Sequence, residues 1–340
     1  MENYTIKNLD NGMKLCFINL DTKTDLIYLN MYFKIGLDNE SKNTLELSHL
    51  MEHLFAEFSS EKYNKNNELR SLLKQKGVFI NASVDENISK YFLKFNKKNL
   101  NLILDILSNA FYDFHINNNI YKKEINAVKE ELNQIMDSNY LNLEEEMYKI
   151  LFKNHIREYT QKQRFLNLNN LSKKDNIDFF NNYYVSQNCL ITLTGNINIK
   201  KTTLLLNKLF KQNKDSPLNL NVTPYINTFV GPKIVYDKKS LESSRLNITF
   251  KCNFTYFDNK YYILKKISKI LTQDIDSILY RQLRTKYGLI YSIDFEIMVD
   301  KNNKHLSFIN ITTDIAEKNL EKTLITVLQN LKKLKKDIDK

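Results

Sequence analysis

The prolines of this 340-residue chain are confined to one short segment near its middle. They are Pro217, Pro224 and Pro232. Because proline fixes one backbone dihedral and cannot donate a main-chain hydrogen bond, such a segment suits neither a helix interior nor a central strand. It is therefore interpreted as a linker between two globular domains. The predicted organisation is a first domain at residues 1–212, a linker at 213–232 and a second domain at 233–340.

The hydrophobic pattern of the first part changes between a strand period and a helix period. Residues 26–35 predict a strand, residues 44–58 predict a helix, and residues 121–152 predict one long helix. The second part repeats this order, with a strand at 246–250 and a helix at 260–271 in equivalent places. The expected fold class is therefore α+β, with two homologous domains that each pack α-helices on a mainly antiparallel β-sheet.

Composition restricts the compartment and the class of partner. No run approaches the roughly 18 uninterrupted apolar residues of a membrane helix, and the first residues do not resemble a secretion signal. Cys16, Cys189 and Cys252 are widely spaced and indicate neither a disulfide framework nor a cysteine metal site. The formal net charge of +11 comes from scattered lysines, so nucleic acid is not expected as a partner, and the lack of a long apolar run means that a membrane is not expected either. We expect a cytoplasmic protein, with an organellar matrix as the alternative.

The sequence HLMEH, inside the predicted helix at 44–58, carries the strongest chemical signal. A spacing of four places the imidazoles of His49 and His53 on one helix face, as two ligands of a single zinc ion require. Glu52 borders that face, where a carboxylate can take a proton from a water that the metal acidifies. The order HxxEH is the inverse of the commoner HExxH motif of zinc proteases. The equivalent helix of the second part has no histidine, so metal chemistry is expected in the first domain.

A catalytic zinc site also needs a third protein ligand. The stretch EINAVKEEL offers Glu124 and Glu131, which lie seven residues, or about two helical turns, apart and therefore share a face. One of them can bind the metal while the other orients a histidine. Glu130 is an equally eligible neighbour, and most glutamates on helices are simply solvated. Spacing alone leaves the choice of ligand open.

The pair of motifs HLMEH and EINAVKEEL resembles the pitrilysin and insulinase family of inverted zinc peptidases, in the branch of the mitochondrial processing peptidases. The family pattern is HxxEH followed by a helix of the form E-x6-E, whose second glutamate is a ligand. The resemblance implies one zinc ion (Zn2+) per chain, with Glu52 as the catalytic base. It also implies that His49, His53 and Glu131 are the ligands and that Glu124 is the supporting residue.

The resemblance extends to two further stretches, GVFINASVDENISKYF and LYRQLRTKYGLIYSI. In the first it implies that Asn81 and Ala82 lie on an edge strand and receive the substrate backbone by strand addition. In the second it implies that Arg284 helps to hold the substrate backbone and that Tyr291 donates a hydrogen bond to the developing oxyanion. Since one chain carries both elements, the expected assembly is a homodimer in which each site receives Arg284 and Tyr291 from its partner, or a pair with a homologous subunit.

Three departures from the family pattern concern the surroundings of the motifs. Glu46 stands where a glycine usually precedes the metal helix, and the Gly-Thr that usually follows HLF is absent. Family members of this type usually continue well beyond the helix that ends here at Lys340, so the second domain is expected to be shortened. These departures do not alter the implied ligands.

Together these features predict a zinc-dependent endopeptidase that hydrolyses short or unfolded peptides inside a chamber, which two such two-domain units form in the family. The alternative is a non-catalytic peptide-binding or scaffold subunit of the same family. Such members commonly lose a residue of the metal motif, whereas this chain retains all four. The enzyme is therefore the preferred interpretation, and the sequence does not indicate which side chains flank the cleaved bond.

Overall fold

The computed structural model describes residues 4–21, 23–63, 66–215, 225–235 and 244–338. The contacts within the chain divide it into two compact units. The first contains Met1–Asp137 and Tyr159–Val222, and the second contains Ser138–Glu158 and Thr223–Lys340. Each unit combines helices with a largely antiparallel sheet, which confirms the predicted α+β class.

The first unit is built on a six-stranded sheet. Its strands are β1 (Tyr4–Asn8), β2 (Lys14–Asn19), β3 (Leu26–Phe33), β4 (Phe79–Val84), β5 (Ser89–Asn96) and β6 (Cys189–Gly195). They lie in the order β1-β2-β6-β3-β5-β4, and all neighbours are antiparallel except β2 and β6, which are parallel. Among the described residues β4 pairs only with β5, so one side of β4 is a free edge.

The helices of both units are numbered along the chain. They are α1 (Leu47–Ala56), α2 (Asn66–Gln75), α3 (Leu100–Tyr112), α4 (Asn118–Met136), α5 (Leu141–Leu151), α6 (Gln161–Leu168), α7 (Lys173–Tyr183), α8 (Ile199–Leu209), α9 (Asn259–Ser268), α10 (Ile278–Tyr280) and α11 (Leu320–Ile338). Helices α9 and α10 continue as π-helical turns at Lys269–Gln273 and Arg281–Lys286. In the part of the chain that the structure describes, no helix has both the length and the apolar character needed to cross a membrane.

An aromatic cluster between the sheet and the helices holds α1 in place. Phe55 of α1 is fully buried and contacts Phe33 of β3, Tyr91 of β5 and Tyr184, with ring centroids 4.8–6.0 Å from its own. Burial of each such side chain stabilises the fold by about 1.5–3 kcal/mol. The hydroxyls of Tyr91 and Tyr184 satisfy each other through a 2.7 Å hydrogen bond, so the cluster buries them without leaving a polar group unpaired. Helix α1 is thereby fixed against the sheet.

The second unit is built on a three-stranded antiparallel sheet. Its strands are β7 (Ser244–Lys251), β8 (Asp294–Met298) and β9 (Phe308–Ile315), in the order β7-β9-β8. Its core includes Leu279 of α10, Leu283 of the following turn and Val327 of α11, all of which are fully buried. The strand and helix predicted at 246–250 and 260–271 correspond to β7 and α9 with its π-helical extension.

The helix predicted at residues 121–152 is two helices in the structure. Helix α4 ends at Met136 and α5 begins at Leu141. The intervening residues 137–140 read Asp-Ser-Asn-Tyr. Short polar side chains compete with the helix for main-chain hydrogen bonds and favour caps and turns. The hydrophobic pattern continues through this break, which is why it predicts one helix.

Helix α5 packs in the second unit, where the ring centroid of Tyr148 lies 6.2 Å from that of Phe308. The structure therefore groups Ser138–Glu158 with the second unit, whereas the predicted first domain at 1–212 includes this segment. The physical reason is the apolar face of α5, which contributes to a core with β9 rather than with the first sheet. The predicted linker at 213–232 lies partly outside the described residues.

Candidate metal centre

Helix α1 presents two histidines beside its buried stripe. Leu50, Met51 and Leu54 are at most 1% exposed, so packing against the sheet fixes the rotation of the helix about its axis. The spacing of four then places His49 and His53 next to each other, with ring centroids 5.1 Å apart. Both imidazoles remain partly accessible at the surface of the unit.

Helix α4 brings Glu131 to these two histidines. One carboxylate oxygen lies 3.2 Å from Nε2 of His49, and the other lies 3.6 Å from Nε2 of His53. A donor atom from each of the three residues lies within 4.8 Å of the others. Two ligands of a tetrahedral zinc ion are about 3.4 Å apart when each metal bond is about 2.0–2.1 Å. The chemistry and the spacing of the donors therefore fit zinc, and Glu130 does not belong to the group.

The second ring nitrogen of His53 faces Glu124, whose carboxylate oxygen lies 3.2 Å from Nδ1. The Lys123 ammonium lies 2.9 Å from the other oxygen of Glu124 and 3.0 Å from Glu57. Burial raises the pKa of Glu124, but the hydrogen bond with His53 and the proximity of Lys123 outweigh it and lower the pKa to about 2. Glu124 is therefore an ionised carboxylate, as the supporting role predicted for it requires.

The second ring nitrogen of His49 faces Glu46, a residue that the sequence marks only as a departure from the family glycine. Nδ1 of His49 lies 2.8 Å from Glu46 Oε2, and Arg164 Nη1 donates to Glu46 Oε1 at 3.1 Å. Burial lowers the pKa of His49, but the hydrogen bond with Glu46 and the charges of Glu46, Glu52 and Glu131 outweigh it and raise the pKa. No sequence pattern points to Arg164, which lies 118 residues from Glu46 in the chain.

Glu40 caps the N-terminal end of α1 through its side chain. Its buried carboxylate accepts hydrogen bonds from the main-chain N–H groups of Glu46, at 3.0 Å, and Ser48, at 2.8 Å. Burial raises the pKa of Glu40 to about 7, although Arg164 and the two N–H groups oppose this effect. A carboxylate here satisfies donors that the first helical turn leaves unpaired. It therefore helps to fix the turn that carries His49.

Glu52 lies in a groove of about 440 Å³ that also contains His53 and residues of β4. The main-chain N–H of Val84 favours the ionised form of this carboxylate. Burial raises the pKa of Glu52, and the charges of His49 and His53 oppose this effect only in part. A carboxylate whose pKa is raised binds a proton more readily, which is the behaviour expected of a catalytic base.

Strand β4 forms one wall of this groove. At the end of the β4–β5 hairpin the N–H of Asp85 donates to the carbonyl of Ile88. Because the main-chain groups of an antiparallel pair alternate, those of Ala82 and Val84 face away from β5, toward the free edge. The N–H of Ala82 donates to the side-chain oxygen of Asn81 at 3.0 Å. Asn81 and Ala82 thus lie on an edge strand, and their role in binding substrate stays a prediction.

Arg284 and Tyr291 lie together in the second unit. Nη1 of Arg284 donates to the carbonyl oxygen of Tyr291 at 2.6 Å, and the guanidinium carbon lies 4.4 Å from the centroid of the tyrosine ring. Tyr291 is 78% exposed, so the stacked guanidinium orients a ring that projects into solvent. The roles predicted for these two residues toward a substrate stay predictions.

The α+β fold carries a group of donors that could hold a metal ion, and comparison with known proteins identifies the family. Residues 17–162 match the family described as insulinase (peptidase family M16), and residues 170–340 match the peptidase M16 inactive domain. The two matches together cover most of the chain, which therefore belongs to peptidase family M16.

Individual relatives agree with this assignment. The zinc protease PqqE of Helicobacter pylori is 24% identical over 334 residues, which cover 96% of this chain and 74% of that protein. The uncharacterized zinc protease YmxG of Bacillus subtilis is 23% identical over 83% of this chain and 67% of its own length. The crystal structure of a protease from Helicobacter pylori has a TM-score of 0.83 and 22% identity over 98% of this chain and 80% of that one. This structural likeness shows that the fold is shared.

Proposed function

We propose that the protein is a zinc-dependent endopeptidase that hydrolyses short or unfolded peptides. The observation that carries the proposal is the group formed by His49, His53 and Glu131, with Glu52 in the adjoining groove. Membership of a peptidase family and similarity to proteins named zinc proteases support it. The retention of ligands and base favours the enzyme over a non-catalytic peptide-binding or scaffold subunit, although the second half matches a domain described as inactive.

Nε2 of His49, Nε2 of His53 and the carboxylate of Glu131 would hold one zinc ion per chain. When bound, zinc acidifies water and polarises a carbonyl group. Glu52 takes a proton from the attacking water and returns it to the amine that leaves when the peptide bond breaks. Burial raises the pKa of Glu52, which makes its carboxylate a better proton acceptor in the first of these steps.

The substrate would lie along β4 in an extended conformation. The outward main-chain groups of Ala82 pair with the peptide backbone, and the side chain of Asn81 moves its oxygen from the N–H of Ala82 to make room for this pairing. Such pairing recognises the backbone of the substrate rather than its side chains. It requires an extended segment of chain, which short and unfolded peptides provide and most folded proteins do not.

The oxyanion donor in this proposal is the hydroxyl of Tyr291, with Arg284 holding the tyrosine ring and the substrate backbone. We propose that both residues act on the metal site of a second copy of the chain. Because the two copies are identical, a symmetric pair gives two complete sites.

Replacement of the third ligand tests the metal site. Glu131→Gln is expected to lose zinc, because a neutral amide is a much weaker ligand than a carboxylate, whereas the neighbouring Glu130→Gln retains it. Zinc is measured by atomic emission after gel filtration, and cleavage is measured with a mixture of quenched fluorescent peptides. Zinc near one per chain in the wild type and in Glu130→Gln, with activity in both, supports the proposal. Zinc without cleavage would favour the non-catalytic subunit, and retention of zinc by Glu131→Gln would exclude Glu131 as ligand.

Mixing two inactive variants tests the source of Tyr291. Glu52→Gln and Tyr291→Phe are each expected to be inactive or nearly so. After subunit exchange, a mixed dimer has one site with both Glu52 and a partner Tyr291, so an equal mixture recovers about a quarter of the wild-type activity. If each chain used its own tyrosine, no site in the mixed dimer would be intact. Absence of recovery, with exchange verified by mass spectrometry, would contradict the exchanged arrangement.

A further inference from the structure

Glu46 adopts a backbone conformation that is unusual for a residue with a side chain. Its φ of 70° and ψ of 6° lie in the left-handed region, immediately before the first residue of α1. That region crowds the Cβ of L-residues and favours glycine. A glutamate here carries a conformational cost that a glycine would not, so its side chain is expected to have a compensating role.

Both carboxylate oxygens of Glu46 are engaged by groups from different parts of the chain. Oε2 lies 2.8 Å from Nδ1 of His49, and Oε1 accepts a hydrogen bond from Arg164 of α6 at 3.1 Å. The residue is only 4% exposed, so water does not compete strongly for these contacts. The carboxylate is therefore directed at His49 rather than solvated.

The main chain around Glu46 is held from two sides. Nδ2 of Asn167 donates to the carbonyl oxygen of Leu45 at 2.8 Å, and Glu40 accepts from the main-chain N–H of Glu46. Arg164 also lies 3.7 Å from Glu40, which places one guanidinium between two carboxylates. These contacts fix both the main chain at Glu46 and the position of its carboxylate. The side chain therefore loses little conformational entropy when His49 binds a metal.

The two histidines consequently have matching surroundings. His53 has Glu124 on Nδ1, and His49 has Glu46 on Nδ1. In both residues Nε2 is the atom that faces Glu131. The family resemblance implies the supporting role of Glu124 alone, and it places a glycine at the position of Glu46.

We propose that Glu46 is a positioning residue for the metal ligand His49, a role that rests on the proposed zinc site. Its carboxylate accepts the Nδ1 proton of His49, which leaves the lone pair on Nε2 directed at the metal position and makes that nitrogen a stronger donor. Arg164 donates to the other oxygen of Glu46 and so orients the carboxylate toward His49. This chain thus supplies a carboxylate to each of its histidine ligands.

The left-handed conformation allows a sharp test, because Glu46→Gly removes the carboxylate while suiting the backbone. Glu46→Gly is expected to weaken zinc binding about 10–100-fold, and the relief of the left-handed backbone offsets part of the stability lost with the Arg164 contact. Glu46→Gln keeps the volume and one acceptor oxygen, and we expect an intermediate loss. Zinc affinity is measured by competition with a chromophoric chelator, so the result does not depend on activity.

Asn154 provides a matched control for the backbone change. It has a φ of 66° and belongs to the second unit, whereas the proposed ligands belong to the first, so Asn154→Gly makes the same kind of backbone change in a segment without a ligand. We expect its zinc affinity to equal that of the wild type. Wild-type affinity in both Glu46→Gly and Glu46→Gln, with zinc lost in Glu131→Gln, would overturn the role of Glu46 and leave the zinc site intact. Absence of zinc binding by the wild type would overturn the proposed function and this role with it.

Discussion

Glu52→Gln is expected to reduce peptide cleavage by about 10²–10⁴-fold while zinc content remains that of the wild type. The amide has nearly the shape of the carboxylate but cannot accept a proton from the attacking water. Glu52 is not one of the three residues whose donor atoms form the proposed zinc site, so its replacement leaves the proposed ligands in place. The variant therefore separates proton transfer from metal binding.

The surroundings of Glu52 make this substitution mild for the fold. The main-chain N–H of Val84 favours its carboxylate, and the side-chain oxygen of glutamine can also accept from this N–H group. Replacement also removes one negative charge beside Glu131, so it does not create new repulsion. We expect a Tm at or slightly above that of the wild type.

The measurement combines kcat/KM for a quenched fluorescent peptide with zinc content and Tm on the same preparations. Glu130→Gln is the matched control, because it makes the same chemical change on a glutamate outside the group of His49, His53 and Glu131. A Glu52→Gln protein that retains zinc and cleaves at the wild-type rate would contradict the assignment of the base. A variant that loses zinc would instead indicate that Glu52 contributes to the metal site.

The part of the site that depends on local geometry is predictable from the sequence. His49 and His53 lie four residues apart on a helix with one strongly apolar stripe, so their common face follows once the helix is recognised. The choice between Glu130 and Glu131 is different, because it depends on the rotation of α4 against α1. The resemblance to the family implies Glu131, and the packing of the two helices places that residue beside the histidines.

The contacts that surround the ligands are not predictable in this way. Arg164 contacts Glu46 from 118 residues further along the chain, and Glu40, in the loop before α1, accepts hydrogen bonds from the start of the helix. Each of these residues alone resembles an ordinary surface charge. Only the folded chain shows that they are buried together, since no period or motif relates α6 to the start of α1.

The fold shows the same division between local and distant information. Alternating runs identify β3 and β7, but nothing in them indicates that β6 joins the sheet between β2 and β3 and is parallel to β2. The break between α4 and α5 depends on four residues of low helix propensity inside a continuing apolar pattern. Assignment of α5 to the second unit then depends on which core accepts its apolar face, a property of the complete structure.

Ala82→Pro is expected to lower kcat/KM about 10–100-fold while zinc content and Tm stay close to those of the wild type. Proline removes the N–H of residue 82, which faces the free edge of β4 and is not used by β5. In the complex the unpaired carbonyl of the substrate would cost about 1–3 kcal/mol, which corresponds to the expected loss. The pyrrolidine ring also occupies space that the substrate strand needs.

Ser83→Pro is the complementary variant on the same strand. By the alternation of main-chain groups, the N–H of Ser83 points at Lys90 of β5, so its loss removes a hydrogen bond inside the sheet. We expect a clear fall in Tm for Ser83→Pro and little change for Ala82→Pro. Unchanged kcat/KM in Ala82→Pro would refute substrate pairing on β4. If the edge of β4 is free, it can pair only with a substrate, and its loss leaves the Tm unchanged. A large loss of Tm in Ala82→Pro would therefore show that this edge contributes to the fold.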